Sequence, residues 1–342
     1  MGQVSKRPLT ISAQYGLIDQ SEFFDRQIAS KDMSGYYLLK NGEFAYNKSY
    51  SNDYPWGAVK RLDKYECGAL STLYICFNLV NSIVNSDFIS HYFETNKWHK
   101  GVSDIAGEGA RNHGLLNMSV EDYFLTKHYL PSLIEQEKIS HFLNLISNRI
   151  ETQSKIIDKL KSQIISISNT MVKSITKKIS IEEICDFERK TKHQSGNGLA
   201  SGTYPFFTNE EENVKFFDFY DFNGEYIIAN TGGKANFKYY NGKFAVMSDC
   251  LVIKFKSSKL TNFYSIVFST LQKYIDYVGF EGSGLKHLNK DWLLKLQVPQ
   301  YGSEAETFIK IIDDLKEKLQ KEKDILSAYK KQKAYLLSNM FI

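Results

Sequence analysis

Two loops in different parts of the chain combine glycine with basic, amide, hydroxyl and aromatic side chains, one around residues 47–61 and the other at 230–236. Lysine and arginine neutralise phosphates, and asparagine, serine and threonine hydrogen-bond to base edges. An ordinary polar turn has the same composition, and for any single residue that alternative is slightly favoured. The candidate nucleic-acid contacts are Lys48, Ser49, Tyr50, Asn52, Lys60, Arg61, Thr231, Lys234 and Asn236.

A Gly-x-Gly step followed by a basic residue also occurs twice, at 107–111 and at 282–286. Glycine allows the backbone to approach a phosphate closely, and the basic side chain lies beside it. Because the loop recurs, we expect a shared role, although a shared structural turn would give the same pattern. The candidate contacts in these loops are Arg111, Asn112, His113, Lys286 and His287.

The motifs of catalytic sites are incomplete in this sequence. The segment 231–235 has neither the first glycine nor the final hydroxyl residue of a nucleotide-binding loop. The five prolines are never adjacent, so the Asn/Asp-Pro-Pro-aromatic loop of an amino-methyltransferase is missing. Glu188 and Lys190 have the Glu-x-Lys spacing of one nuclease class, but no Pro-Asp pair precedes them. The histidines have no partner at triad or ligand spacing, so we predict a non-catalytic protein without metal or cofactor.

Composition limits the class of protein without naming its function. A chain of 342 residues should form about two domains, and 42% hydrophobic residues suffice for two cores. The net charge of +4 permits binding to nucleic acid but does not require it. Four separated cysteines indicate neither a disulfide framework nor a zinc site, which favours a reducing cytoplasm. We find no signal peptide and no membrane-spanning apolar run.

The elements that position these loops occur twice in the sequence. Residues 42–47 resemble residues 224–230, where a Gly-Glu-aromatic step is followed by asparagine. Asp87-Phe88 and the first glycine loop align with Asn262-Phe263 and the second glycine loop at one constant offset. Such agreement indicates an internal duplication. The order along the chain is therefore block, helix, block, helix.

Two long amphipathic helices are predicted, from Pro131 to Met171 and from Pro299 to Met340. Apolar residues recur at heptad spacing, which is typical of a coiled-coil seam. Each helix could instead pack on its own block, but a globular block does not need a stripe of about ten turns. The seam residues are Ile139, Leu143, Ile146, Ile150, Gln153, Ile157, Leu160, Leu315, Leu319, Glu322, Leu326 and Tyr329. Antiparallel pairing would bring the polar Gln153 and Glu322 together and fix the register.

Within the blocks, short apolar runs predict strands at 36–39, 73–77, 226–229 and 251–253. Asn-Gly pairs at 41–42, 223–224 and 241–242 predict turns, and the segments 88–98 and 263–277 predict helices. The expected fold class is α+β. Two similar domains alternate with two long helices that pair as an antiparallel coiled coil, with pseudo-two-fold symmetry.

The predicted boundaries follow from the repeats. Residues 1–130 form the first domain, 131–178 the first spacer helix, 179–298 the second domain, and 299–342 the second spacer helix. The second block has a lead-in at 181–187 that has no counterpart before Pro8. We therefore expect the first domain to be an N-terminally clipped form or an alternative gene copy.

The sequence resembles the specificity (S) subunit of type I restriction-modification systems over nearly its whole length. The resemblance is carried by residues 130–139, which lead into Phe142-Leu143, by the tail 333–341, and by the glycine loop 107–111. The segment 10–20 is typical of one lineage of target-recognition domains in that family. The second helix differs, because Gln300 and the residues after it replace the Glu-Gln step that follows Pro131 in the first helix.

This resemblance implies a DNA-binding subunit with two target-recognition domains, each contacting one half of a split, asymmetric sequence in double-stranded DNA. The helices would hold the domains apart and dock two methyltransferase (M) subunits, and a motor-nuclease (R) subunit would complete the restriction system. An alternative is a coiled-coil scaffold whose blocks bind protein. Salt-dependent affinity for DNA would distinguish the two. An enzyme acting alone is disfavoured by the missing motifs.

Overall fold

The computed structural model of the chain describes residues 7–12, 15–24, 32–51, 53–79, 83–106, 114–210 and 215–341. The chain divides into two compact units. Unit 1 comprises Met1–Ser154 and Asp324–Ile342, and unit 2 comprises Lys155–Lys323. Each unit contains a block of short strands and helices together with part of each of two long helices. The secondary structure is therefore of the mixed α+β class.

Unit 1 contains short antiparallel strands and short helices. They are β1 (Leu9–Ser12), β2 (Gly16–Asp19), α1 (Gln20–Phe24), β3 (Tyr37–Lys40), β4 (Phe44–Asn47), β5 (Ala58–Arg61), β6 (Cys67–Leu70), β7 (Ile75–Phe77), α2 (Ser86–Tyr92), α3 (His99–Ile105) and α4 (Val120–Phe124). The central sheet has the order β5-β4-β7, while β3 pairs with β6 and β1 with β2. The middle strand, β4, thus has a partner along both edges.

The sheets of unit 1 bury two apolar cores. One lies between the central sheet and α2, where Phe44, Tyr46 and Phe88 are at most 2% exposed. The other contains the fully buried Leu9 and Leu62. Burial of each large apolar side chain contributes roughly 1.5–3 kcal/mol. The α2 helix begins at its cap residue Asn85, whose side chain accepts a hydrogen bond of 2.9 Å from the Phe88 amide.

Unit 2 is built on a larger sheet. Its elements are β8 (Lys178–Ser180), β9 (Cys185–Phe187), β10 (Tyr204–Phe207), β11 (Lys215–Phe217), β12 (Phe222–Asn230), β13 (Phe237–Val246), β14 (Cys250–Phe255), α6 (Ser258–Val278), β15 (Phe280–Glu281), β16 (His287–Leu288), α7 (Lys290–Lys295) and β17 (Gln297–Pro299). The main sheet has the order β11-β10-β13-β12-β14-β9, and β10 and β13 run parallel. A separate antiparallel pair joins β17 to β8.

The main sheet of unit 2 is buried on both faces. Along β12, Ile227 and Ala229 pack into the core that contains α6, whereas Tyr226 and Ile228 pack into a second core that contains Phe244. Successive side chains of a strand point to opposite faces, so this alternation divides one strand between two cores. The strand consequently has a nearly continuous apolar sequence rather than an alternating one.

Two long helices run through the chain, α5 (Leu133–Ser174) and α8 (Ser303–Asn339). The α5 helix begins after Pro131 with a capping box, in which the Glu135 carboxylate accepts from the Ser132 amide at 3.2 Å. In unit 1, Leu143 packs in the same core as Leu336, so the first part of α5 lies against the last part of α8. In unit 2 the last part of α5 lies against the first part of α8, and Met171 and Ile312 share a core.

The predicted seam residues all face away from solvent to some degree. In α5, Leu143, Ile146, Gln153, Ile157 and Leu160 are buried, and Ile139 and Ile150 are half-buried. In α8, Leu315, Leu319, Glu322, Leu326 and Tyr329 are half-buried. The neighbouring Leu145 and Ile311 are 47% and 43% exposed. The heptad positions thus form the inward stripe of each helix.

The duplication extends to the order of the elements. The set β4, β5, β7 and α2 in unit 1 corresponds to β12, β13, β14 and α6 in unit 2. One polar contact between short and long helix recurs with its partners exchanged. The Asn144 amide on α5 donates to Asp87 on α2 at 2.9 Å, and the Asn262 amide on α6 donates to Asp313 on α8 at 2.9 Å. Equivalent positions therefore carry the same hydrogen bond with donor and acceptor reversed.

The helix predicted at 88–98 is wrong in its second half, because α2 ends at Tyr92. The Thr95 hydroxyl bonds to the Tyr92 carbonyl at 2.7 Å, and the Trp98 indole bonds to the Phe93 carbonyl at 3.2 Å. Side chains that bond to carbonyls in this way compete with the continuation of a helix. The chain becomes helical again only in α3.

Two of the predicted turns are also wrong. The Asn-Gly pairs at 223–224 and 241–242 lie inside β12 and β13, where Gly224 is paired with Gly242. Their φ angles of 139° and 141° belong to a region that glycine adopts at little cost, so the strands bend at this point without reversing. The chain reverses instead at residues 231–236, between the two strands.

Candidate functional site

The two predicted contact loops occupy the same place in the two units. Residues 48–57 connect β4 to β5, and residues 231–236 connect β12 to β13. Each loop follows an asparagine at the end of the central strand, Asn47 in unit 1 and Asn230 in unit 2. In unit 2 the Asn230 amide donates to the Asn236 carbonyl at 3.0 Å and closes the loop. Both loops are therefore hairpin connections of the central strand.

Each hairpin loop is hydrogen-bonded to the segment that follows the glycine loop of its unit. In unit 1 the Leu116 amide donates to Lys48 at 2.9 Å, and the Tyr50 amide donates to Gly114 at 3.1 Å. In unit 2 the Leu288 amide donates to Thr231 at 2.9 Å, and the Gly233 amide donates to Lys286 at 2.9 Å. We call each such assembly a loop pair: residues 48–57 with 114–116 in unit 1, and 231–236 with 286–288 in unit 2.

These bonds correct the alignment of the glycine loops. Because Tyr50 bonds to Gly114 as Gly233 bonds to Lys286, Gly114 is the counterpart of Lys286. The predicted alignment instead pairs Lys286 with Arg111, which lies three residues before Gly114. Four of the predicted contacts, Asn52, Arg111, Asn112 and His113, lie outside the described residues.

The loop pair of unit 2 presents several side chains to solvent. Lys234, Lys286 and His287 are exposed, and Asn236 is half-exposed. Thr231 is less available, because its hydroxyl donates to the Asp249 carbonyl at 2.8 Å. The Asp276 carboxylate on α6 accepts from the Ala235 amide at 2.7 Å and fixes the loop. Sequence reasoning missed Asp276 and Asp249, since neither is near the loop in sequence. The result is a hydrogen-bonded loop backbone from which two lysine side chains extend into solvent.

The loop pair of unit 1 offers fewer free groups. The Lys48 ammonium donates to the Met118 carbonyl at 3.4 Å and is only partly exposed. Tyr50 packs its ring against the core of the unit. Ser49 is exposed, and its amide donates to the Asn47 side chain at 2.9 Å, which shapes the turn. Of the predicted residues that the structure describes in this loop, Ser49 is the most accessible.

Lys60 and Arg61 lie at the end of β5 and not in the loop. Arg61 forms ion pairs with Asp63 at 2.6 Å and with Asp87 at 2.7 Å, and its side chain is 17% exposed. Burial lowers the pKa of Arg61, but the hydrogen bonds to Asp87 and Asp63 outweigh this effect and raise the pKa above its ordinary value. The guanidinium therefore joins β5 to α2. Its donors are directed at two carboxylates of its own unit, and its contact with nucleic acid stays a prediction.

Lys60 lines an internal cleft of about 440 Å³ together with Glu94 and Lys333. Burial lowers the pKa of Lys60, and the negative charge of Glu94 counteracts that effect. Glu94 pairs with Lys333 at 2.9 Å. Burial raises the pKa of Glu94, but the nearby His91, with its Nδ1 atom 3.9 Å away, and the hydrogen bond and charge of Lys333 outweigh this effect and lower the pKa to about 2. Lys60 thus belongs to a charge cluster of unit 1 and lies on β5, not in the loop, and its contact with nucleic acid stays a prediction.

Three of the four cysteine thiols are buried enough to hold their protons. Burial raises the pKa of the Cys76, Cys185 and Cys250 thiols to about 12, so these thiols stay protonated near neutral pH. Among the described residues, no cluster of three or more histidine, cysteine or carboxylate side chains has the geometry to hold a metal ion. In the same part of the chain, none of the helices is long and apolar enough to cross a bilayer.

Comparison with known proteins finds a family match for part of the chain. Residues 174–330 match the family model of the type I restriction modification DNA specificity domain. A Mycoplasma pneumoniae protein named as a candidate type I specificity subunit, S.MpnORF507P, is 31% identical over 166 residues, which are 45% of this chain and 43% of the relative. The matched region thus spans less than half the length of that relative. The resemblance to specificity subunits is confirmed.

Solved structures share the fold over most of the chain. The S subunit of a type I restriction-modification system from M. genitalium superposes with a TM-score of 0.58 at 16% identity, covering 90% of this chain and 84% of that one. A structure described as underlying complex assembly and conformational transition of the type I R-M system has a TM-score of 0.53 at 10% identity, covering 88% and 82%. At these identities the likeness concerns the fold alone.

Proposed function

Because residues 174–330 match the family model of the type I restriction modification DNA specificity domain, we propose that the chain is a DNA sequence-recognition subunit. Each unit would contact one half of a bipartite site through its loop pair. The observation that carries the proposal is the recurrence of the loop pair. The same backbone hydrogen bonds occur in both units, and the side chains presented on that backbone differ.

The side chains of the loop pairs suit contacts with double-stranded DNA. Lys234 and Lys286 are exposed in unit 2 and are positioned to neutralise phosphates. Asn236 in unit 2 and Ser49 in unit 1 offer donors and acceptors for base edges. Main-chain hydrogen bonds hold the backbone of each loop pair. A change of side chain in the loop pair would therefore alter the DNA target without disturbing the fold.

The two half-sites would differ in sequence. Unit 1 presents Ser49 on its loop pair, whereas unit 2 presents Lys234, Lys286 and Asn236. Hydrogen-bonding patterns in the major groove distinguish all four base pairs, so unlike side chains select unlike bases. The expected target is an asymmetric sequence in two parts, separated by an unread spacer.

The long helices would set the length of that spacer. We propose that α5 and α8 pair along their whole length as an antiparallel coiled coil, with Gln153 and Glu322 fixing the register. Contacts of Leu143 in unit 1 and of Met171 in unit 2 support this arrangement at both ends. The 42 residues of α5 rise about 63 Å at 1.5 Å per residue, which suits two separated half-sites.

The outer face of the helices would dock two methyltransferase subunits, and a motor-nuclease subunit would join them in the restriction complex. Phe142 and Leu145 in unit 1 are 42% and 47% exposed on α5, and Ile165 in unit 2 is 62% exposed. Exposed apolar side chains on a helix that already buries its seam favour a protein partner. In this proposal the chain performs no chemistry, and it acts in the cytoplasm beside the DNA.

The test is co-expression of the chain with the methyltransferase encoded beside it, followed by mapping of methylated adenines across the host genome. One split motif with two unlike halves is the expected result.

Ile150→Asp places a charge in the seam and should prevent assembly, while Lys48→Ala and Lys234→Ala should weaken DNA binding by the assembled complex. A purified complex whose DNA affinity is independent of salt would instead favour the alternative, a scaffold whose blocks bind protein.

A further inference from the structure

A third segment of unit 2 lies beside the loop pair of that unit. Residues 208–210 follow β10 in the chain. The side-chain amide of Asn230, at the end of β12, donates to the Asn209 carbonyl at 3.2 Å. The Lys238 ammonium on β13 donates to the Glu210 carbonyl at 2.7 Å. The backbone of this segment is therefore fixed to the two strands that carry the hairpin loop.

The Asn209 side chain reaches the centre of the loop pair. A Cβ atom on Gly232 would lie 3.5 Å from Asn209 Nδ2 and 3.7 Å from His287 Nδ1. Gly232 is buried, whereas Asn209 is half-exposed and His287 is exposed. Gly232 and His287 also form the β-bridge that joins the two halves of the loop pair. The amide group and the imidazole ring therefore lie close to each other, next to a residue that has no side chain.

The Asn209 amide has a defined orientation. The Cys250 thiol lies 3.9 Å from Asn209 Oδ1 and 3.8 Å from the Phe207 carbonyl, and it can donate to either oxygen. Burial raises the pKa of this thiol to about 12, so it keeps its proton near neutral pH. With Oδ1 directed at the thiol, the Nδ2 donor faces Gly232 and His287. Among the described residues, no acceptor takes a hydrogen bond from Nδ2.

The charges around these two side chains suit nucleic acid. Lys234 and Lys286 are exposed on the same loop pair. The Glu210 carboxylate of the third segment lies 3.4 Å from the Lys215 ammonium, which offsets its negative charge. Phosphates held by the two exposed lysines would bring base edges to the amide and the imidazole.

We propose that Asn209 and His287 together contact one purine base in the major groove, with Asn209 Nδ2 donating to N7 of the purine. N7 is the acceptor that adenine and guanine share on that edge, whereas cytosine presents an amino donor and thymine a methyl group beside its O4 atom. His287 would contact the neighbouring part of the same base pair. The inference rests on the proposed DNA-recognition function and assigns one base pair of the target to these two residues.

The first experiment maps methylated adenines in cells that express the methyltransferase with the unchanged chain or with Asn209→Asp. The substitution keeps the shape of the side chain and replaces the Nδ2 donor with an acceptor oxygen. The two maps should differ at one position of one half of the motif, where Asn209→Asp no longer selects the original base. The other half should stay the same.

The second experiment measures DNA binding by the purified complex at that position. The 7-deaza analogue of the purine lacks the N7 acceptor but keeps the base pair. In anisotropy titrations it should weaken binding by the unchanged complex about fivefold, and binding by the Asn209→Asp complex should be the same for both purines. Equal affinity of the unchanged complex for the purine and its 7-deaza analogue would contradict the contact with N7.

Two further variants test the partner residue and the specificity of the effect. His287→Ala should relax selection at the same position as Asn209→Asp, because the two side chains lie together beside Gly232. Asn223→Asp makes the same change of charge at an exposed asparagine at the start of β12. It should leave the whole motif unchanged.

The outcomes separate this contact from the proposed function. An unchanged motif in Asn209→Asp, or a change at another position in His287→Ala, would overturn the joint contact while the recognition function stands. Loss of the folded complex in Asn209→Asp would assign a structural role to the side chain and would overturn it too. The absence of any split motif with the unchanged chain would overturn the recognition function, and the contact with it.

Discussion

Unit 1 and unit 2 share a central strand, a helix packed behind it and a loop pair, but they differ in what lies around that frame. Residues 178–187 of unit 2 pair with both β14 and β17, whereas among the described residues of unit 1 the strand β7 pairs with β4 alone. Unit 2 presents exposed lysines on its loop pair, whereas Lys48 in unit 1 is bonded to Met118. The central strand, the helix behind it and the loop pair are therefore compatible with different surrounding segments. The shared elements hold the fold, and the segments around them differ between the units.

The largest effects are expected where the frame is most alike. Leu143 and Ile312 occupy matching seam positions and are both fully buried. Leu143→Ala and Ile312→Ala should each reduce the free energy of unfolding by about 2–5 kcal/mol, in unit 1 and unit 2 respectively. Urea denaturation with hydrogen exchange resolved by unit measures this. The exposed neighbours Leu145→Ala and Ile311→Ala serve as controls. If either variant destabilised both units equally, the two units would unfold as one cooperative body.

A smaller loss should follow from a contact that unit 1 alone possesses. Arg61→Ala removes the guanidinium that bonds to Asp87 and Asp63, and should lower the stability of unit 1 by about 1.5–3 kcal/mol. Thermal unfolding of Arg61→Ala and of the control Lys64→Ala measures the loss of stability in each. The exposed pair of Lys64 with Glu22 should contribute under about 1 kcal/mol. If folded Arg61→Ala protein lost DNA affinity with unchanged stability, Arg61 would act as a DNA contact and not as a structural link.

Acid should affect the two units unequally through Glu94. Its pKa in unit 1 is about 2, below the ordinary 4.5, so the folded state holds the charged form more strongly than the unfolded state does. The stabilisation is present above the unfolded pKa and is lost as pH falls from about 4.5 towards 2, by on the order of 1–2 kcal/mol given its partial exposure. Glu94→Gln should flatten this part of the stability profile of unit 1. If the pH dependence of stability were the same in Glu94→Gln, Glu94 would not be the group whose charge stabilises unit 1.

The smallest effect is expected at the exposed loop of unit 2. Lys234→Ala should weaken DNA binding by the assembled complex several-fold, and the slope of log affinity against log salt should fall by about 0.9 if one phosphate contact is lost. Anisotropy titrations over a salt series measure both quantities. Lys256→Ala, beyond the opposite end of β14, is the control and should change neither. Equal effects from both lysines would indicate general charge attraction in place of a local contact.

The sequence predicted those features whose evidence is local. Heptad spacing marks the inward stripe of α5 and α8, and the repeat of Asp87-Phe88 in Asn262-Phe263 marks the short helices behind the sheets. The strands within β12 and β14 were likewise predicted from their apolar runs. These patterns depend on residues a few positions apart, so one sequence suffices.

Features that depend on distant residues could not be predicted in this way. Arg61 has the composition of a DNA contact until Asp87 is placed beside it by the packing of α2 against β5. Gly224 and Gly242 have the composition of turns until each is found paired with the other across two strands. The cavity lined by Phe88, Lys138 and Met340 could not be predicted either, because it combines side chains from α2, from α5 and from the residue after α8.

The reversed hydrogen bonds Asn144 to Asp87 and Asn262 to Asp313 constrain how such genes can recombine. A crossover that joins the first block to the second long helix would place Asp87 against Asp313, and two carboxylates at that distance repel each other. The reciprocal crossover would place Asn262 against Asn144, and two amides can still bond to each other. Exchange of domains is therefore directional. A chimera of the first kind should need Asp313→Asn before it folds well, and one of the second kind should fold without repair.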